Sequence, residues 1–162
     1  MNPIYNKLIK QYSFLKNGIK SNVNPIHKKS KNGILYGTYI PKNKNKFIII
    51  KNKQNSGKIK YRSSWELKFL KWCDNNPNVK KIISEGIKIP YVDIDNKTKN
   101  YYPDFVILYK NEKFLIEIKP KNQIMIETNQ RKFQSAKKFA KRNNLKFLIL
   151  TENELQKLIY SK

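Results

Sequence analysis

The sequence predicts an α/β fold, a mixed sheet flanked by helices, and three observations carry that prediction. Apolar runs of strand length recur between residues 80 and 120, separated by polar turns. Helical periodicity brackets those runs on both sides. No glycine-rich phosphate loop follows any of them, which sets the pattern apart from a doubly wound nucleotide-binding sheet.

Residues 1–35 read as a basic N-terminal arm. Ile4, Leu8 and Tyr12 recur at helical spacing, which predicts a short amphipathic helix over residues 4–16. Beyond it GIKSNVNPIHKKSKNG is polar, basic and broken by Pro25 and Gly33, so it reads as a loop or tether. Residues 36–162 form one domain. Phe47-Ile48-Ile49-Ile50 reads as a short strand, with Asn55-Ser56-Gly57 as a turn before Lys58-Ile59-Lys60-Tyr61. RSSWELKFLKWCDNN sets Trp65, Phe69, Trp72 and Cys73 along one helical face, and Pro77 helps to stop that helix. KKIISEGIKIPYV then reads as one strand, YYPDFVILY as a second after the turn DIDNKTKN, and KFLIEIKP as a third, closed by Pro120. A helix over residues 124–143 follows, with Phe133, Ala136, Phe139 and Ala140 on one side. LKFLILT is a last strand, and residues 152–160 a terminal helix. The order is helix, three-stranded meander, helix, strand.

Charge is the strongest compositional signal. Lys and Arg total 35 against 11 acids, a net charge of +24, and no Asp or Glu precedes Glu66. Such a chain seeks a polyanion, and nucleic acid is the foremost one. A bias toward AT-rich codons explains why Lys outnumbers Arg, but not the missing acids. A single Cys and a single His build neither a disulfide nor a zinc site, which leaves carboxylates as metal ligands. No apolar run approaches the roughly 18 residues of a membrane span, and the first residues lack the apolar core of a signal peptide. The expectation is therefore a chain without membrane or small-molecule cofactor.

The chemistry concentrates at Pro103-Asp104 and Glu117-Ile118-Lys119. Glu117 and Lys119 are two apart in a strand and project from one face, while Phe114, Ile116 and Ile118 point to the other. That alternation also describes a solvated polar face. The site reading gains from Asp104, which a short hairpin turn brings toward Glu117 in a chain poor in acids. Two carboxylates at one sheet edge suit magnesium, which keeps several waters. Lys119 beside them would position water and steady charge on a phosphate. Glu66 follows Ser63-Ser64-Trp65 as a capping box, a role compatible with facing the same sheet edge.

Pro-Asp followed after twelve residues by Glu-x-Lys, behind one helix bearing Glu and ahead of another, resembles the PD-(D/E)XK nuclease superfamily. A longer set of residues resembles the head completion nuclease family of T-even type tailed phages. It comprises Tyr61-Arg62-Ser63-Ser64-Trp65-Glu66, Lys71-Trp72-Cys73-Asp74, Ser84-Glu85, Ile89-Pro90-Tyr91, Tyr102-Pro103-Asp104-Phe105 and Leu115-Ile116-Glu117-Ile118-Lys119-Pro120. Gly37-Thr38-Tyr39-Ile40-Pro41-Lys42-Asn43 is similar to the family's approach segment. Asn129, Lys132, Phe133 and Ala136 are similar to its second helix, and Lys146-Phe147-Leu148-Ile149-Leu150-Thr151-Glu152 to its final strand. The likeness covers roughly residues 36–156, and a remoter one reaches the transposon-end nuclease subunit of cut-and-paste transposons.

The resemblance implies a magnesium-dependent DNA endonuclease, with manganese as a substitute, working late in virion assembly. Its place would be the host cytoplasm or the virion head, and its partners DNA and portal or neck proteins. Asp104 and Glu117 would hold metal, Lys119 would serve the water, Glu66 would be the helix-borne fourth residue, and Glu85 a supporting one. Arg62, Lys28, Lys29, Lys31, Lys121 and Arg131 are the expected DNA contacts. The arm carries seven Lys and no acid, which suits phosphate neutralisation, while its Ile4, Leu8 and Tyr12 stripe suits docking on a protein. Two rival readings are a head-opening or neck protein with vestigial catalysis, and a transposition or repair nuclease.

Overall fold

The structure, a computed structural model, describes residues 27–29, 35–48 and 57–160. In chain order it runs β1 (His27–Lys29), β2 (Leu35–Tyr39), β3 (Phe47–Ile48), β4 (Ile59–Tyr61), α1 (Ser64–Asn75), β5 (Val79–Ser84), β6 (Ile89–Val92) and β7 (Thr98–Tyr101). It continues with β8 (Phe105–Tyr109), β9 (Glu112–Ile118), α2 (Glu127–Arg142), β10 (Lys146–Leu150) and α3 (Glu152–Tyr160). The central sheet has five strands in the order β10-β9-β8-β5-β3. Its β5-β8-β9 meander is antiparallel, and β10 and β3 pair in parallel with β9 and β5 at the two edges. The expected mixed sheet flanked by helices is therefore present.

Several boundaries differ from expectation, each for a local reason. Residues 80–92 are two strands in different sheets, because Glu85 takes a left-handed backbone with φ of 47° and ends the ladder at Ser84. Residues 101–109 divide likewise, since Pro103 has no N–H to donate to a ladder. Among the described residues the pieces between, β6 and β7, pair only with each other, as an antiparallel hairpin inserted into the meander. Asp104 thus sits just outside β8 rather than inside a strand. His27–Lys29 pairs antiparallel with β2, so the segment read as a loop contains a strand. The long helix begins at Glu127, after a 3-10 turn at Lys121–Gln123. The helix expected over residues 4–16 lies outside the described residues.

Alternation along the central strands divides the core into two layers. Phe105, Ile107, Ile116 and Ile118 face α1 and α3, packing with Phe69, Leu70, Cys73 and Leu155. Val106 and Leu115 face the other way, toward α2 and the hairpin, with Ala136, Ala140, Ile89, Tyr91 and Tyr101. Each fully buried Leu, Ile or Phe contributes about 1.5–3 kcal/mol, so both faces of β9 are anchored by apolar burial. The hairpin, too short to be stable alone, is further tied to α2 through Asp93. Asp93 accepts from Lys99 at 2.7 Å and from the Thr128 hydroxyl at 2.9 Å, and its carbonyl takes an Arg131 N–H at 3.3 Å.

Helix α1 is held at both ends, which positions its first turn against the sheet. At the C-terminus the buried Asp74 carboxylate accepts from the Tyr39 hydroxyl at 2.6 Å and from the backbone N–H groups of Lys42 and Asn43 at 2.7 and 2.9 Å. Lys46 donates to the carbonyls of Cys73, Asp74 and Asn76 at the helix end, and the Asn43 side-chain amide also donates to that of Asp74 at 2.8 Å. At the N-terminus Ser63 caps, its hydroxyl accepting from the Glu66 N–H at 3.1 Å. A cap of this kind contributes about 1 kcal/mol.

Candidate active site

The ladder registers bring the expected residues to one end of the central sheet. Phe105 pairs with Ser84 on one side and Ile116 on the other. The next rung out is therefore Glu85 and Asp104, each one residue beyond the end of its strand, and Glu117 within β9. The rung is bonded as well as aligned: the Glu85 N–H donates to the Asp104 carbonyl at 2.9 Å, and the Ile118 N–H donates to Asp104 Oδ2 at 2.7 Å. Lys119 leaves β9 with its N–H on the Leu150 carbonyl at 3.1 Å, which fixes the strand end against β10.

Glu117 is 3% exposed, so the solvated-face reading of its alternation with Lys119 does not hold. Its Oε1 takes the Lys119 ammonium at 2.9 Å, as same-face placement predicts. Its Oε2 takes the Tyr101 hydroxyl at 2.6 Å. Sequence reasoning missed Tyr101, because it read residues 101–109 as a single strand and gave that residue no separate position.

Glu66 reaches the same place from α1. Its Oε2 accepts the Arg62 N–H at 3.0 Å and its Oε1 the Ser63 hydroxyl at 3.0 Å. The expected capping box is present in a shifted form, closing on the amide before the cap. Arg62 pairs with Glu85 across the front of this group. The structure therefore brings together Glu66, Asp104, Glu117, Lys119, Glu85 and Arg62. It does not bring Arg131 there, whose guanidinium is bound to Glu127 at 2.8 Å and to the hairpin. Lys121 is exposed beside α3, its N–H on Glu152 at 3.0 Å. Lys28 and Lys29 fall on β1, and Lys31 lies outside the described residues.

The electrostatics of the cluster are unbalanced. Burial, then the negative charges of Glu117 and Glu66, push the Asp104 carboxyl well above its ordinary value. Burial also raises Glu66, against the hydrogen bonds from Arg62 and Ser63. For Lys119 burial works downward, and the carboxylates of Glu117, Asp104 and Glu66 outweigh it, so its ammonium is held charged. Among the described residues no three His, Cys, Asp or Glu side chains form a ready-made metal cage. The donor chemistry nevertheless fits a hard divalent cation, because Asp104 and Glu117 supply adjacent carboxylate oxygens with more negative charge than Lys119 neutralises. Magnesium is commonly held by one or two carboxylates plus waters.

This imbalance has a measurable consequence without metal. As pH rises past 3.8, the ordinary Asp value, the Asp104 carboxyl ionises in the unfolded chain while the folded one keeps its proton. Folding stability from this group is full below that pH and falls until the pH passes the raised native value. In chelator, Asp104→Asn is therefore expected to melt higher than the wild type by a margin that grows with pH. The margin should be about 2–4 °C for each kcal/mol of relieved repulsion. Saturating magnesium should shrink or reverse it. A pH-independent difference in thermal melts would show that Asp104 is not held under this strain.

Comparison with known proteins adds two likenesses. A family model described as "TnsA-like endonuclease N terminal" matches residues 76–152, a span that contains Asp104, Glu117 and Lys119 and excludes Glu66. The head completion nuclease of Enterobacteria phage T4 is 32% identical over 146 aligned residues, covering 75% of this chain and 94% of that protein. The first agrees with the remoter transposon-end likeness read from the sequence. The second is with a protein matched along almost its whole length.

Proposed function

The chain belongs to the head completion nuclease family of T-even type tailed phages, within the PD-(D/E)XK nuclease superfamily, and from that premise we propose that it is a magnesium-dependent DNA endonuclease of phage head completion. The observation that carries the proposal is the juxtaposition of Asp104 and Glu117 with Lys119, where buried carboxylate charge exceeds its local neutralisation. Asp104 and Glu117 would hold the cation, magnesium with manganese as a substitute. When bound, the cation supplies polarisation of a phosphoryl oxygen and a lowered pKa for its water. Lys119 contributes an ammonium, 23% exposed and held by Glu117, which would position the attacking water and steady the charge that gathers on the phosphate. The attacking water gives up one proton to solvent as its oxygen bonds to phosphorus, one phosphodiester P–O bond breaks, and the departing sugar oxygen takes a proton from solvent.

Glu66 belongs to this machinery through its charge on Asp104 as well as through its cap. Glu66→Gln retains capping ability, so it should keep or raise the melting temperature while lowering cleavage by about 10–100-fold, the range for groups that support a metal centre. Full activity in that variant would leave Glu66 a capping residue only. DNA is the substrate that suits a net charge of +24. Arg62 lies at the site, and Lys28, Lys29, Lys31, Lys121 and Arg131 are the further phosphate contacts of this reading. The setting is the host cytoplasm during assembly, with the virion head and its portal or neck proteins as the place of action. Among the described residues no helix is long and apolar enough to cross a membrane.

The direct test is incubation of purified protein with supercoiled and branched DNA, in magnesium or manganese and in chelator. Nicked or resolved product with either metal and none in chelator is the expected result. DNA retention without any cleavage in either metal would instead assign the chain a structural role at the head opening.

A further inference from the structure

The hairpin of β6 and β7 has no ladder to the central sheet, yet one of its side chains reaches the proposed metal site. Tyr101, at the end of β7, pairs with Ile89 in the hairpin and is 5% exposed. Its hydroxyl donates to Glu117 Oε2 at 2.6 Å, the distance of a short charge-assisted bond. Lys119 holds the other oxygen at 2.9 Å, so the plane of the carboxylate is fixed at two points. A buried phenol without a partner would be unfavourable, and Glu117 is the partner. The tyrosine is itself held, because Ile89, Tyr91 and Tyr101 pack in the layer with Leu115, Ala136 and Ala140.

Resting on the metal-dependent reading above, we propose that Tyr101 is a positioning residue for Glu117, orienting its carboxylate toward the cation that Asp104 and Glu117 share. The inserted hairpin thereby forms part of the site without touching substrate. Carboxylates that ligate metals commonly depend on such hydrogen-bond partners, and losing one weakens metal affinity or activity by about 10–100-fold.

Titration of the full-length protein with manganese, following free Mn²⁺ by its electron paramagnetic resonance signal, tests this without relying on cleavage. Tyr101→Phe keeps the ring and its packing and removes only the hydroxyl. Tyr91→Phe is the control: that hydroxyl lies on the same hairpin, is buried, and faces Asp93 at 3.4 Å. With circular dichroism verifying both folds, Tyr101→Phe is expected to bind Mn²⁺ about 10–100-fold more weakly than the wild type. Tyr91→Phe is expected to match the wild type. Wild-type affinity in Tyr101→Phe would overturn the proposal and leave the metal reading standing. Equal losses in both variants would also overturn it, by assigning the effect to hairpin packing. A wild-type protein that binds no Mn²⁺ would overturn the metal reading and this assignment with it.

Discussion

Asp104→Ala and Glu117→Ala are each expected to abolish DNA cleavage while the protein stays folded. Each removes one of the two carboxylates proposed to hold the cation, and the polarisation that a bound cation supplies amounts to several kcal/mol. The loss should therefore be about 10³-fold or more in single-turnover rate. The fold survives because both faces of β9 are anchored by Leu115, Ile116 and Ile118 rather than by the site. Asp104→Ala relieves the repulsion among the carboxylates at the loss of one hydrogen bond from the Ile118 N–H. Glu117→Ala is the harsher change, since it leaves the Tyr101 hydroxyl unpaired, and Glu117→Gln serves as its gentler companion. Rates come from plasmid nicking at saturating enzyme, with thermal melts run in parallel. Either alanine variant cutting at the wild-type rate in magnesium would show that the site lies elsewhere.

Lys119→Ala should separate chemistry from metal binding. The ammonium touches Glu117 at 2.9 Å and makes no contact that holds the strand, whose end is fixed by the Lys119 N–H on Leu150. On the proposed mechanism its removal takes away a preorganised positive charge near the reacting phosphate, a change that in comparable sites slows the chemical step by about 10²–10³-fold. Mn²⁺ affinity should hold or rise, because the carboxylates lose a competing cation. DNA affinity should fall little, since one phosphate contact is a small part of the electrostatics of so basic a chain. A variant that cleaves at the wild-type rate once saturated with DNA, and differs only in affinity, would make Lys119 a phosphate-binding residue.

The grouping of Asp104, Glu117 and Lys119 was more legible in the sequence than the connectivity. Glu117 and Lys119 share a face because side chains alternate along any strand, and the apolar Ile116 and Ile118 between and beside them pack into the layer on the opposite face. Asp104 could be paired with Glu117 because the turn after Tyr109 is short, and the register bears this out. The split of the meander was not legible. A left-handed Glu85 is unusual for a residue other than glycine and has no local sequence signal; its N–H bonds the Asp104 carbonyl and its carboxylate pairs with Arg62. Pro103 was a signal that could have been used: a residue without an N–H inside a central strand argues for a break at that point. Had it been read so, Tyr101 would have fallen on a separate strand.

The partners of Asp74 show the same limit. Its side chain is fully buried and bonds Tyr39, Lys42 and Asn43, more than thirty residues away. Nothing in the local pattern SWELKFLKWCDN distinguishes that carboxylate from an exposed one near a helix end. Long-range pairing of this kind depends on how α1 lies against the segment after β2, which no periodicity encodes. The strand at His27–Lys29 escaped for a related reason, because a three-residue edge strand rich in Lys carries too little alternation to be read.

Crystals of the protein soaked in manganese, with diffraction recorded at the manganese absorption edge, test the central claim most directly. An anomalous peak is expected about 2.0–2.2 Å from carboxylate oxygens of both Asp104 and Glu117, the distance for a hard divalent cation of this size. The peak should be lost in crystals of Asp104→Ala. A peak confined to other carboxylates, such as Asp93 and Asp95 on the hairpin, or no peak at saturating manganese, would contradict it.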